Sequence, residues 1–293
     1  MDQHGEPEAD GMDNGSASGE AESSPPDAAV VDRALGALTG LRVGEILGAE
    51  TDGLPSVAAT AALQTAFPDF GVDSPGFTAT LTGVGGEATS ARPAGTTPVP
   101  PAWVTTAVAT ALAVPADPIA DLVKALAERL ALDDRDRLTF AAAAAVAASV
   151  SAALDNTPWS QCLSLAISAA DLAESTAGVY RPGASVGARM AWAHALAARA
   201  EDPVAVVELL VGASDAPQEA VPAAFAMVGV HSTSDGPQPM AAIQAAAGLG
   251  GRAGLITPIV GALAGGVAGV GAFPPHLRDD IDLTPVLRHR HDG

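Results

Sequence analysis

Small side chains dominate the apolar part of this sequence, and that constrains its fold more than any other feature. Nearly half of the chain is hydrophobic, yet aromatic residues make up only 3% of it. Alanine and glycine supply the bulk. Such side chains let helices approach closely, whereas a strand-rich fold would draw on Val, Ile, Tyr and Phe. At 293 residues the chain can bury a sizeable core in one large domain. No fixed-period repeat and no alternating strand pattern interrupt the helical reading. The expectation is an all-α fold, a single compact orthogonal bundle of about ten helices.

The formal net charge is −20. An acidic surface repels phosphate backbones and anionic headgroups, so nucleic acid and membrane surfaces are excluded as expected partners. Residues 1–27 hold eight Asp or Glu and no Lys or Arg. That stretch reads as a disordered acidic tail, because it lacks the apolar content to offset ordering entropy. It also lacks a basic, then apolar, secretory signature, and the expected location is the cytoplasm. The high Ala, Asp, Arg and Pro content suggests a bacterial source. Cys162 is the single cysteine, so neither an internal disulfide nor a cysteine metal cluster can form. It reads as a buried helix residue. The uncharged run Ala253 to Phe273 is long enough to be weighed as a membrane span. Its weak hydrophobicity favours a buried helix instead, where the Gly265-x-x-x-Gly269 spacing permits close helix packing.

Helical periodicity predicts a first helix from Ala28 to about Gly48. It is followed by a loop-like stretch over 51–101 with a short helix near 57–66. Further helices are expected over 103–114, 118–132, 138–154, 160–177, 186–200, 203–211, 218–228, 239–250 and 255–269. The segment 28–283 is taken as the folded domain and 284–293 as a flexible tail. Within that tail, His289, Arg290, His291 and Asp292 could hold a metal loosely, but fraying is the expectation.

Four segments carry a resemblance. The first runs Gly36-Ala37-Leu38-Thr39-Gly40-Leu41-Arg42-Val43-Gly44-Glu45-Ile46-Leu47-Gly48, with Asp52 seven residues after Glu45. The second is Leu138-Thr139-Phe140 and the Ala-rich helix after it. The third is Ala220-Val221-Pro222-Ala223-Ala224-Phe225-Ala226. The fourth is Leu249-Gly250-Gly251-Arg252-Ala253-Gly254-Leu255, continuing Gly261-Ala262-Leu263-Ala264-Gly265. In order and spacing they resemble the ADP-ribosylglycohydrolase family, an all-helical family that hydrolyses ADP-ribosyl glycosidic bonds with two magnesium ions. That family opens with G-A-x-x-G-x-x-x-G-D-x-x-G, has L-T-H before an internal helix, and binds its metals with T-D-D-T and D-T-D-T segments.

The departures fall on the metal ligands. Magnesium needs oxygen donors, chiefly carboxylates. The T-D-D-T segment is best matched by Trp103-Val104-Thr105-Thr106-Ala107, with Thr105 and Thr106 at the Asp places. Arg252 and Gly254 stand at the Asp places of D-T-D-T, and Phe140 stands at the His place. The resemblance therefore implies a degenerate site with no metal and no other cofactor. A ligand- or partner-binding pseudoenzyme is the first expectation. Its ligand would be ADP-ribose-like or a nucleotide, held by Thr105, Thr106 and Arg252. Arginine in a glycine loop before a helix suits phosphate, although an internal salt bridge or plain exposure is the simpler alternative.

The second expectation is an altered, metal-independent glycosidic hydrolase. Two carboxylates can share glycosidic acid and base work, and Glu45 and Asp52 are the matched pair. Their plainer reading is a helix-end carboxylate and a solvated loop carboxylate. The third expectation is a structural or regulatory subunit with a protein partner. No P-loop and no dinucleotide fingerprint is present.

Overall fold

The computed structural model describes residues 26–53, 102–130, 137–176 and 182–278, with Met1, 179–180, 282–283, 286–287 and 290. Residues 2–25 of the expected acidic tail and the expected short helix at 57–66 lie outside the described residues, while Asp27, expected in that tail, caps the first helix through its side chain. The described chain is all-α, as the small-residue composition implies. Its one departure is a hairpin, Ser232–Thr233 against Gly236–Pro237, in which Thr233 pairs with Gly236.

In chain order the helices are α1 (Ala28–Thr51), α2 (Ala102–Ala113), α3 (Ile119–Arg129), α4 (Arg137–Leu154) and α5 (Trp159–Thr176). They continue with α6 (Val186–Ala197), α7 (Pro203–Val206), α8 (Pro217–Val230), α9 (Pro239–Gly248) and α10 (Ala253–Ala268). α7 runs directly into a π-turn over Val207–Val211, where one continuous helix was expected. Pro118 was expected in the first turn of α3. It sits instead at the cap position with extended backbone, one residue before the helix.

α4 is the hub. It is buried without interruption from Phe140 to Leu154. It packs against α1, α2, α3, α5, α6, α8 and α10. Alanine at most of these positions is what lets so many neighbours approach at once. Among the described helices, α4 alone is long and apolar enough to cross a membrane, but 89% of that stretch is buried against the rest of the protein.

α1 and α10 form a second, tighter unit. They run antiparallel, with Gly36 against Gly265, Gly40 against Gly261, Gly44 against Thr257 and Gly48 against Ala253. A Cβ on Gly40 would fall far inside contact distance of the Gly261 carbonyl, and one on Gly261 would strike Gly40 in return. The glycine spacing of four on α1 is therefore a backbone-to-backbone seam. The Thr257 hydroxyl sits within hydrogen-bond distance of the Gly44 carbonyl (2.7 Å) and the Ala253 carbonyl (2.5 Å), and its single proton serves one of them at a time. The seam also explains why α1 does not end at Gly48, where the sequence places its stop. Gly48 is used for close approach, and the helix runs on to Thr51, with Gly53 beyond it at φ +76°.

Candidate functional site

The seam delivers the end of α1 to the beginning of α10, and the polar site lies at that junction. Leu249 to Gly251 form the approach to α10, with Gly250 and Gly251 both in the left-handed region at φ +71° and +58°. Glycine is needed there for that backbone, and at Gly251 also for space, since a Cβ would meet the Ala213 carbonyl. The loop is pinned from two sides. Arg252 N–H donates to the Ala213 carbonyl at 2.8 Å, and Gly53 N–H donates to the Gly251 carbonyl at 2.5 Å.

Asp52 stands at the centre. Its Oδ1 accepts from the backbone N–H of Gly254 at 3.0 Å, and its Oδ2 accepts from Arg252 Nη1 at 3.1 Å. Arg252 occupies the N-cap position of α10 but makes no side-chain cap of its own. Asp52, from 202 residues away in sequence, fills that role. A carboxylate at a helix N-terminus satisfies an orphan donor and meets the positive end of the helix dipole. The carboxylate is nearly enclosed, with 10% of the Asp52 side chain exposed against 47% for Arg252. The guanidinium thus keeps donors facing solvent while one arm holds Asp52.

Glu45 lies two turns before Asp52 on α1 and is half-buried. Burial pushes its carboxyl above the ordinary glutamate value, and the neighbouring Arg42 guanidinium opposes that rise. Arg42 itself is tied to the Leu277 carbonyl at 2.8 Å. Because α1 continues to Thr51, Glu45 and Asp52 are separated by seven helical steps, about 10 Å of rise.

Thr105 and Thr106 sit in the first turn of α2. Both hydroxyls donate back to the Ala102 carbonyl, at 3.0 and 2.7 Å. Local back-bonding of this kind satisfies a helical threonine without any outside group. The hydrogen bonds of the described residues therefore join Asp52 to Arg252, and keep Thr105 and Thr106 within their own helix. Sequence reasoning named both ends of the Asp52–Arg252 pair but not the pairing. It also missed the Gly254 amide and the Ala213 carbonyl, which are backbone groups that carry no residue-type signal.

These features define an all-helical bundle whose polar site is made where its first helix ends and its last long helix begins. The ADP-ribosylglycohydrolase family model matches residues 69–290. The chain belongs to that family. The matched span contains the segments around Leu138, Ala220 and Leu249, while the glycine-rich α1 precedes it. A solved structure named "ADP-ribosylglycohydrolase-related protein complex" is 17% identical, covers 89% of this chain and 98% of its own, and superposes with a TM-score of 0.50. At that identity the likeness is one of fold. No functionally curated protein matches the chain.

Proposed function

We propose that this chain is an ADP-ribosylglycohydrolase-family protein without the magnesium pair, and that it binds a ligand or partner instead of hydrolysing ADP-ribosyl bonds. The observation that carries this reading is the occupancy of Asp52. Both of its oxygens are engaged by hydrogen-bond donors, and these come from the two positions, Arg252 and Gly254, where the family places metal-binding aspartates. A dication approaching Asp52 meets a guanidinium and an N–H dipole that both repel it. On α2 neutral hydroxyls, those of Thr105 and Thr106, stand where the family places carboxylates, and their protons go to the Ala102 carbonyl. Among the described residues, no three His, Cys, Asp or Glu side chains gather as a metal site would require. The described residues do not offer a donor set that fits two magnesium ions.

Arg252 is the group proposed to meet a ligand. Asp52 holds one arm of the guanidinium in place, and the remaining donors suit a phosphate or pyrophosphate such as ADP-ribose carries. Calorimetric titration with ADP-ribose, with and without magnesium, tests this. The expected result is binding that does not depend on the metal and is weakened in Arg252→Ala. Micromolar magnesium affinity would reject the metal-free reading, and equal binding by Arg252→Ala would reject the role of Arg252. We also propose a cytoplasmic location, with α4 a buried core helix and not a membrane span.

One observation favours a second reading, an altered glycosidic hydrolase. The raised carboxyl of Glu45 is what a general acid requires. Its proposed partner Asp52, however, already has one oxygen on the Arg252 guanidinium and the other on the Gly254 amide, so it is not a free base or nucleophile. If Glu45→Gln left turnover of an N-glycoside unchanged, that reading would fail.

A further inference from the structure

Arg290 lies in the stretch expected to fray, and the structure seats it in the core. It is 3% exposed. Its Nη1 donates toward the carbonyls of Ala111 (2.8 Å) and Val114 (2.9 Å) and the hydroxyl of Ser151 (3.1 Å). Its Nη2 donates to the Ser151 carbonyl (2.8 Å) and to Asp155 Oδ2 (2.6 Å). Ser151 Oγ in turn donates to the Val114 carbonyl at 2.7 Å, which fixes the two helix ends relative to each other. The acceptors come from the C-terminal ends of α2 and α4. Carbonyls there lack intrahelical partners, and the helix dipoles favour a cation. Arg290 does not arrive alone. Leu283 and Leu287 are buried at 6% and 0%, Leu287 N–H donates to the Leu283 carbonyl at 3.0 Å, and the spacing 283, 287, 290 is that of one helical face.

We propose that the C-terminal ends of α2 and α4 form a built guanidinium-binding socket, and that Arg290 fills it in cis, so that Leu283, Leu287 and Arg290 clasp the bundle. The socket is specific for a planar fork. Its acceptors divide between two nitrogens and between two helices, and an ammonium group has one nitrogen to offer. The clasp holds α2 at its far end from Thr105 and Thr106 and is independent of Asp52 and Arg252, so it can fail without affecting the proposed ligand site.

Chemical rescue in the full-length protein tests the socket. Arg290→Ala leaves buried carbonyls and the Ser151 hydroxyl without their donor, and its melting temperature should fall by about 5 °C or more. Millimolar ethylguanidinium should restore part of that loss, and ethylammonium should not. No fall in melting temperature would overturn the proposal. So would a fall that neither compound, or both compounds equally, reverses. Should Arg290→Ala not fold, Arg290→Lys retains the charge. Its backbone amides at Val114, Asp155 and Asn156 should exchange faster than in the native chain, and unchanged exchange there would overturn the proposal equally.

Discussion

Replacing Gly40 by alanine should be severely destabilising, although alanine is the better helix former. On an exposed helix the exchange would gain about 1 kcal/mol. Here the new methyl would fall on the Gly261 carbonyl of the antiparallel helix. That obstacle is backbone inside a helix and cannot turn aside as a side chain could. To restore ordinary contact, α1 and α10 would have to separate by more than about 1 Å, in a core packed at near-crystalline density. The pairs Gly36–Gly265, Gly44–Thr257 and Gly48–Ala253 lie on the same seam, so all would loosen together. Overpacking costs typically about 1 to 3 kcal/mol, and more where the backbone must move. Set against the propensity gain, a net loss of about 3 kcal/mol is expected. Urea unfolding would read it as a lower midpoint at unchanged slope. Gly271, whose Cβ would meet nothing within 4 Å, is the internal control, and Gly271→Ala should change stability by no more than about 0.5 kcal/mol. A Gly40→Ala protein as stable as the native one would refute the seam.

Asp52→Asn removes the ion pair with Arg252 and weakens the cap on α10. Because Arg252 is half exposed, the pair itself contributes little, and a total loss of about 1 to 2 kcal/mol by urea unfolding is expected. Cys162 is buried, and burial pushes its thiol up to about 12, so native protein at pH 8 should resist iodoacetamide and unfolded protein should react. Burial holds His194 and His231 below the ordinary histidine value of 6.5. Above that value both states are neutral and their contribution is fully present. As pH falls through it, the unfolded chain binds protons first, so stability should decline. Glu45 acts with the opposite sign, since its raised carboxyl binds a proton more readily in the folded state. The decline from pH 7 to 5 should therefore be shallower in the His194→Gln, His231→Gln double variant, and an identical slope would contradict the assignment.

Which parts of this molecule were legible in its sequence follows from what kind of group each part uses. The Ala-rich stretch after Leu138 announced a helix enclosed by others, because mostly small side chains let seven neighbours approach it at once. The glycine spacing of α1 matched the family pattern, but its physical use was invisible until Gly261 and Gly265 lay opposite. Hence Gly48 was read as a stop when it is a contact. Arg252 and Asp52 were each singled out by position, but 200 residues separate them, and periodicity carries no information about such a pairing. Arg290 was misread for a related reason. A charged residue three places from the end looks solvated, and only the geometry of two helix ends turns it into a buried group.

Diffraction from crystals soaked in manganese, an anomalous scatterer that substitutes for magnesium, would show whether a dication can sit at Asp52. No anomalous peak is expected beside Asp52, with Arg252 and the Gly254 amide still on its two oxygens. Paired peaks within coordination distance of that carboxylate, with the guanidinium swung away, would contradict it.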